Sequence, residues 1–296
     1  MKNATTIAAK QLPMKQGTAL ALVSGILYSS LGYLGVSQLG PNFTIYDMLF
    51  WRFFVSALLL IPFVLKGSCW TPLVFKVVPW LFVVGGASYG LSSVFYFLAA
   101  KELGTGIPMV IFFTFPVFVA LFSWIIDRHR LGRLTYISMI LLFSGLWLLA
   151  DEGGSNFHWK PALFALVSGV SYAIYVYMGK KLKIDPLVSS LIVCLGSAFS
   201  IWVFGSLAEN KILIPSLDGS WLYIFLTALI ATILPIVLLL EAMKKISATK
   251  ASLLSVFEPL STVLIGILFL GETLLGIQMV GIVIILLGAL LTHYDR

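Results

Sequence analysis

Charge is what this sequence has least of. Only 10% of its 296 residues are Asp, Glu, Lys or Arg, against about a quarter in soluble proteins. Sixty per cent of the residues are hydrophobic and the mean hydropathy is +1.04. The chain lacks the polar surface that a soluble domain needs, so we predict an integral membrane protein. The net charge of +7 would suggest a nucleic-acid partner in a soluble protein, but here it is expected to reflect orientation in a bilayer.

Several chemical signatures are missing as well. Two cysteines, Cys69 and Cys194, are too few for a disulfide framework. The sequence has no GxxxxGK[ST], HExxH or GxSxG motif, and its three histidines lack metal-ligand spacing. These absences argue against an ATP-driven pump and against hydrolytic chemistry. We therefore expect a protein that is not an enzyme and that holds no cofactor and no metal.

Long apolar runs fill most of the chain. Residues 1–16 are polar and are expected to be a cytoplasmic N-terminal segment. No small-residue cleavage site follows a short apolar core, so we expect the next segment to be a retained helix rather than a signal peptide. A membrane-spanning helix needs roughly 20 mainly apolar residues, and ten segments meet this requirement. They lie near 17–38, 44–65, 77–100, 104–126, 132–150, 160–180, 186–208, 219–243, 247–270 and 273–293. The predicted fold is all-α and integral to the membrane.

Lys and Arg are distributed unequally between alternate loops. Fifteen lie in the terminal segments and the even-numbered loops, and three lie in the odd-numbered loops. Cytoplasmic loops carry the excess of basic residues, so both termini are expected to face the cytoplasm of a cell inner membrane.

The stretch ALVSG occurs twice, at Ala21–Gly25 and at Ala165–Gly169. Further along the chain the offset slips from 144 to 143, which aligns Pro116 with Pro259 and Gly145 with Gly288. We therefore predict two five-span repeats, 17–150 and 160–293. Because five is odd, the second repeat is inverted relative to the first. Inverted repeats are typical of secondary transporters, whose substrate site lies near the midplane at the repeat interface.

Three stretches carry a family resemblance: WRFFVSALLLIPFVL (51–65), FTFPVFVALFSWII (113–126) and FEPLSTVLIGILFLGETLLGIQMVGIVIILLG (257–288). With the two five-span halves, they resemble the EamA family of the drug/metabolite transporter superfamily. The family pattern has a proline in the fourth helix of each half and a glycine-acid pair before the fifth. The resemblance implies transport of amino acids, other metabolites or drugs, and it implies export more than uptake.

Two ionisable residues lie deep inside spans. Arg52 is roughly 12 Å into its span and Glu258 roughly 16 Å, at 1.5 Å per residue. Charges at such depth usually face a bundle interior or a wet cavity. Glu258 is expected to bind a cationic group, to carry a proton or to pair with Arg52. An Arg52–Glu258 ion pair is one hypothesis, and separate partners are the other.

Other candidate residues surround these two. A polar and aromatic set suggests a cavity that hydrogen-bonds and stacks on a solute: Tyr28, Ser92, Tyr96, Tyr172, Tyr175 and Trp202. The expected hinges are Pro108, Pro116, Pro235 and Pro259, because proline removes a helical hydrogen bond. Asp47, Glu241 and Glu272 lie near span ends and are expected to be solvated. Gly281 and Gly288 suggest a helix-packing face, which leaves a homodimer open.

The leading prediction is a secondary transporter of a small organic solute, an amino acid or a related metabolite, with possible proton or ion coupling. Uptake of a nucleotide-linked metabolite such as S-adenosylmethionine and drug efflux are alternatives within transport. A lipid enzyme or a non-transporting membrane protein is the alternative class. A lipid enzyme would need acid, His or Cys residues clustered near one interface, and no such cluster is visible.

Overall fold

Long helices make up nearly all of the computed structural model. It describes residues 2–39, 43–66, 72–128, 133–150, 159–181, 184–208, 212–215, 220–243, 245 and 257–292. The first half holds α1 (Lys2–Val36), α2 (Ile45–Lys66), α3 (Pro72–Trp80), α4 (Gly86–Leu103), α5 (Gly106–Phe112), α6 (Phe115–Asp127) and α7 (Arg133–Ala150). The second holds α8 (Trp159–Lys181), α9 (Pro186–Leu207), α10 (Ser220–Ala228), α11 (Leu234–Met243), α12 (Phe257–Leu270) and α13 (Gly276–Thr292).

Seven helical stretches in the described part of the chain are long and apolar enough to cross a membrane. They are Lys15–Val36, Ile45–Lys66, Lys76–Leu103, Gly106–Ile126, Trp159–Met178, Leu187–Leu207 and Trp221–Leu239. Shorter apolar helices occupy Tyr136–Gly145, Phe257–Leu270 and Gly276–Gly288, where the sequence predicts three further spans. The first part of the predicted ninth span, residues 247–256, lies outside the described residues. The all-helical membrane fold is confirmed, while the number ten stays a prediction.

Three of the expected spans are interrupted. A π-helical turn at Leu81–Gly85 joins α3 to α4, and another at Leu229–Ile233 joins α10 to α11. The third break separates α5 from α6 at Phe113 and Thr114. Such breaks free backbone groups that a lipid-facing helix would have to satisfy internally, so they are tolerated where protein or a cavity surrounds them.

The helix pairing follows the sequence repeat. α1 packs against α11 and α12, and the equivalent α8 packs against α4, α5 and α6. α2 packs against α9, and α7 packs against α13. In each of these pairs the two helices occupy equivalent positions in the two repeats. Exchange of the two repeats therefore maps these helix pairs onto one another.

Individual contacts obey the same exchange. A Cβ atom added to Gly145 would lie 2.9 Å from the Gly281 carbonyl oxygen, and one added to Gly288 would lie 3.2 Å from the Ser138 carbonyl oxygen. Gly281 and Ser138 are themselves 143 positions apart. Gly281 and Gly288 therefore serve packing between α7 and α13 within this chain.

The serine of each ALVSG copy crosses to the other repeat. Ser24 Oγ donates to the Pro235 carbonyl at 2.7 Å, and Ser168 Oγ donates to the Ser92 carbonyl at 2.7 Å. Ser92 and Pro235 also occupy equivalent positions, 143 residues apart. The repeated motif thus makes the same bond twice, once from each repeat.

We expect Ser24→Ala and Ser168→Ala each to lower the free energy of unfolding by about 0.6–1.5 kcal/mol, the net value of an interhelical hydrogen bond in a membrane protein. Thermal melting of the purified variants would measure this loss. Ser144→Ala is the matched control, because the exposed Ser144 hydroxyl bonds to carbonyl groups of its own helix. Unchanged melting temperatures for both Ser24→Ala and Ser168→Ala would contradict the symmetric role.

Candidate functional site

A cavity of about 280 Å³ lies between the two repeats. Helices α1, α2, α4, α8, α11 and α12 and the broken α5–α6 segment all contribute to its wall. The lining residues are Ala21, Ser24, Gly25, Tyr28, Leu31, Gly32, Arg52, Tyr89, Ser92, Ser93, Tyr96, Phe97, Met109, Phe112, Phe113, Phe115, Tyr172, Val176, Leu239, Glu258 and Thr262. Arg52 and Glu258 therefore face the same cavity.

Arg52 reaches the cavity from α2 with 1% of its surface exposed. Its Nε donates to Thr232 Oγ1 at 3.0 Å, at the π-helical turn between α10 and α11. The guanidinium carbon lies 4.8 Å from the ring centroid of Phe53, and Tyr89 lines the same cavity. Tyr89 and Thr232 are equivalent positions of the two repeats. Arg52 of the first repeat is thus bonded to the second repeat through Thr232.

Glu258 faces the cavity from α12. Its backbone carbonyl accepts a hydrogen bond from Thr262 Oγ1 at 3.0 Å. Within the described part of the chain, its side chain makes no hydrogen bond, and it forms no ion pair with Arg52 within 4.0 Å. The two charged groups therefore line one cavity without neutralising each other directly. Of the two hypotheses drawn from the sequence, separate partners describe this conformation.

Aromatic rings form a continuous wall beside the charged groups. The Tyr172 ring centroid lies 4.9 Å from Phe115, 5.0 Å from Phe112 and 5.8 Å from Tyr89. Tyr175 packs behind this wall, with its centroid 5.0 Å from that of Tyr89. Ring faces carry a negative quadrupole that attracts cations, and they also stack on planar groups.

Hydroxyl groups occupy the next part of the wall. Ser92 Oγ lies 3.2 Å from Ser168 Oγ, between α4 and α8. The Tyr96 hydroxyl donates to the Thr105 carbonyl at 3.3 Å. The structure thus brings together Tyr28, Ser92, Tyr96 and Tyr172 around Arg52 and Glu258 and places Tyr175 directly behind them.

Trp202 lies elsewhere. Half of its side chain is exposed, and its ring packs on Phe199 at a centroid distance of 6.1 Å along α9. It does not line the cavity, and its position is that of an outward-facing aromatic residue.

Three of the four candidate hinge prolines lie next to helix breaks. Pro108 is the third residue of α5 and Pro116 the second of α6, where proline is tolerated because its missing N–H needs no partner in a first helical turn. Pro235 is the second residue after the π-helical turn that ends at Ile233. Pro259 is the third described residue of α12, and the residues just before Phe257 lie outside the described part of the chain. The hinge role of all four stays a prediction.

Two carboxylates that the sequence analysis expects in solvent are instead engaged, and that expectation is wrong for both. Asp47 is 1% exposed and accepts hydrogen bonds from Thr44 N and Leu213 N, both at 2.7 Å. Glu272 is partly buried and accepts hydrogen bonds from Thr105 and Gly106. Both bind segments of the other repeat, and position near a span end carries no signal of such contacts. Glu241 is also partly buried.

The fold and this cavity define a helical membrane protein with a polar and aromatic site between two related halves. The family model described as "EamA-like transporter family" matches residues 15–150 and again residues 159–294. The chain belongs to this family, as its sequence resemblance predicts. Its members are transporters.

Related proteins extend the comparison. YwfM of Bacillus subtilis, described as an uncharacterized transporter, is 30% identical over 200 residues, which cover 66% of this chain and 67% of YwfM. The threonine/homoserine exporter RhtA of Salmonella typhimurium is 28% identical over 212 residues, covering 69% and 68% of the two chains. A protein of known crystal structure superposes with a TM-score of 0.61 at 19% identity, covering 94% of this chain and 96% of that one. The likeness of that structure supports the fold.

Proposed function

We propose that the protein is a secondary transporter that moves a small zwitterionic solute, an amino acid or a related metabolite, across the inner membrane by alternating access. The observation that carries this proposal is that Arg52 and Glu258 line one cavity without an ion pair between them. A guanidinium binds a carboxylate through two parallel hydrogen bonds, and a carboxylate binds an ammonium group. A zwitterion supplies a partner for each of the two side chains at once.

Desolvation makes this arrangement selective. Buried charges are costly unless they are paired, so a solute that neutralises both groups gains affinity that a singly charged solute cannot match. The aromatic wall then contacts the apolar part of the solute. RhtA, whose name gives threonine and homoserine as substrates, supports an amino acid as the solute class and export as the direction.

Ten spans in two inverted repeats form the proposed transport machinery, with both termini in the cytoplasm. The contacts between loops support this topology. Gln38 bonds to Thr227, Asp47 to Leu213 and Glu272 to Thr105, and each pair joins segments near the predicted external face. Lys245 bonds to Gln16 at 3.2 Å near the predicted cytoplasmic face. Two such repeats could exchange conformations and so expose the cavity to each side in turn.

Thermal stabilisation of the purified protein by a matched solute panel tests the proposal. The panel pairs amino acids with their methyl esters, which lose the carboxylate, and with their N-acetyl derivatives, which lose the ammonium group. We expect stabilisation by the free amino acid and weak or no stabilisation by either derivative. The Arg52→Gln variant should no longer distinguish amino acids from their esters. Equal stabilisation of the parent protein by all three forms would overturn the zwitterion proposal.

The aromatic wall favours a second candidate, an apolar organic cation such as a drug. Phe112, Phe115 and Tyr172 offer ring faces beside Glu258, and a cation needs no partner at Arg52. In the same panel, this function would be favoured if the esters stabilised the protein as well as or better than the free amino acids.

A further inference from the structure

The carboxylate of Glu272 joins the two repeats at one end of the cavity. Its Oε1 accepts hydrogen bonds from the backbone N–H of Thr105 and from Thr105 Oγ1, the latter at 2.7 Å. Its Oε2 accepts from Gly106 N at 3.1 Å. Glu272 lies between α12 and α13, whereas Thr105 and Gly106 begin α5. One side chain thus fixes the start of a cavity-lining helix from the opposite repeat.

Two glycines make room for this carboxylate. A Cβ on Gly266 would collide with Glu272 Oε2, and a Cβ on Gly104 would lie 2.7 Å from Glu272 Cδ. Gly104 also has a φ of 74°, a left-handed conformation that glycine adopts without strain. Glu272 N donates to the Gly266 carbonyl at 3.1 Å, which turns the chain so that the side chain reaches α5. The site is therefore shaped for the carboxylate.

The same contacts continue into the cavity wall. The Thr105 carbonyl accepts the hydrogen bond of the Tyr96 hydroxyl. A Cβ added to Gly32 would lie 3.0 Å from Thr105 Cβ and 3.1 Å from the Tyr96 hydroxyl. Gly32 on α1, Tyr96 on α4, Thr105 and Glu272 thus form one connected set of contacts at the external end of the cavity.

The opposite end of the cavity is bounded differently. Its lining there consists of Ala21, Val176 and Leu239, on helix ends that the topology places toward the cytoplasm. One contact between the repeats near that face, from Lys245 Nζ to Gln16 Oε1 at 3.2 Å, is exposed. Exposed polar pairs contribute little because water competes for both groups. The partly buried carboxylate of Glu272, which accepts three hydrogen bonds, is the stronger of these two contacts.

We propose that Glu272 is the latch of an external gate: its bonds to Thr105 and Gly106 close the cavity toward the outside, and they must break for the cavity to open there. This inference rests on the alternating-access function proposed above. Thr105 also accepts a hydrogen bond from Tyr96 in the cavity wall. A bound solute that displaces Tyr96 would therefore pull on Thr105, and through Thr105 on its hydrogen bond to Glu272. Glu272 acts as a positioning residue and does not itself contact solute.

Thiol accessibility tests the latch without any solute. Leu31 lines the cavity next to Gly32, so Leu31→Cys is the reporter, in a chain with Cys69→Ser and Cys194→Ala. We expect Glu272→Gln to speed labelling of intact cells by a membrane-impermeant thiol reagent about tenfold or more, because charge-assisted hydrogen bonds are roughly twice as strong as neutral ones. Thr105→Val, which loses the hydroxyl donor, should act in the same direction, whereas Thr105→Ser should label like the parent chain.

Glu102→Gln is the matched control, since it removes an exposed carboxylate in the last turn of α4, three residues before Thr105. Melting temperature and gel filtration identify any variant that does not fold, and the Thr105→Val and Thr105→Ser pair then carries the test. Equal labelling of folded Glu272→Gln, Thr105→Val and Glu102→Gln would overturn the latch. Faster labelling only in inside-out vesicles would overturn its external placement. Because the labelling needs no solute, the latch can fail while the zwitterion proposal stands, and the reverse also holds.

Discussion

Glu258→Gln is expected to weaken solute binding by about 30-fold or more while the protein keeps its melting temperature. Loss of one partner from a buried charge pair costs about 2–5 kcal/mol, and glutamine cannot neutralise an ammonium group. The fold has less to lose, because no ion pair joins Glu258 to Arg52 in the described structure. Glutamine keeps the shape and removes a charge that is costly to bury. Solute-dependent thermal shifts, with the unliganded melting temperature, measure both effects.

The same variant separates two roles for Glu258. If Glu258 carries a proton, Glu258→Gln should stop proton-coupled flux and preserve solute exchange in proteoliposomes. If it binds the ammonium group, both activities should fall together, which is the outcome we expect. Glu102→Gln controls for removal of a carboxylate as such. Wild-type flux in Glu258→Gln would remove Glu258 from the site.

Gly196→Ala is expected to be the most damaging small substitution, with a loss of about 3 kcal/mol in the free energy of unfolding, at the upper end for overpacking. A Cβ on Gly196 would collide with the Phe82 carbonyl oxygen and lie 3.1 Å from Gly86 Cα. Both obstacles are backbone, so no side-chain rotation relieves them. The change would separate α9 from the π-helical turn before α4. Helix α4 carries Tyr89, Ser92 and Tyr96.

Gly276→Ala is the matched control for Gly196→Ala. A Cβ at Gly276 meets nothing within 4 Å, and alanine favours helix over glycine by about 1 kcal/mol. Thermal melting of the two variants in one detergent should show a large decrease for Gly196→Ala and no decrease for Gly276→Ala. Similar melting temperatures for the two variants would contradict this prediction, because they would mean that α4 and α9 can move apart with little loss of stability.

Much of this architecture is visible in the sequence because it arises from strong and repeated signals. Scarce charge and long apolar runs indicate membrane helices, and the ALVSG repeat anticipates the symmetric bonds of Ser24 and Ser168. Equivalence extends to backbone conformation: Arg128 has a φ of 54° and Gly271, 143 positions later, a φ of 68°. Depth along a span also singles out Arg52 and Glu258, which the structure brings to one cavity.

Contacts between distant loops leave no such signal. Asp47 and Glu272 look like ordinary polar residues at span ends, and only the packing of the other repeat buries them. Trp202 is the opposite case, a residue that the sequence analysis places at the cavity and the structure does not. The sequence does not distinguish an aromatic residue that faces a cavity from one that faces lipid. Periodicity assigns residues to helix faces, but which face meets which neighbour depends on tertiary packing.

The cavity breaks the symmetry that the helices keep. The position equivalent to Arg52 holds Leu195, and the position equivalent to Glu258 holds Phe115. Each repeat therefore contributes one charge, of opposite sign and from a different helix, so the site has a fixed electric polarity. The two access states of such a carrier cannot be mirror images, and they need not have equal energies. An empty carrier whose two access states differ in energy has a preferred resting side, which makes initial rates from the two sides unequal without changing the final distribution of an uncoupled solute.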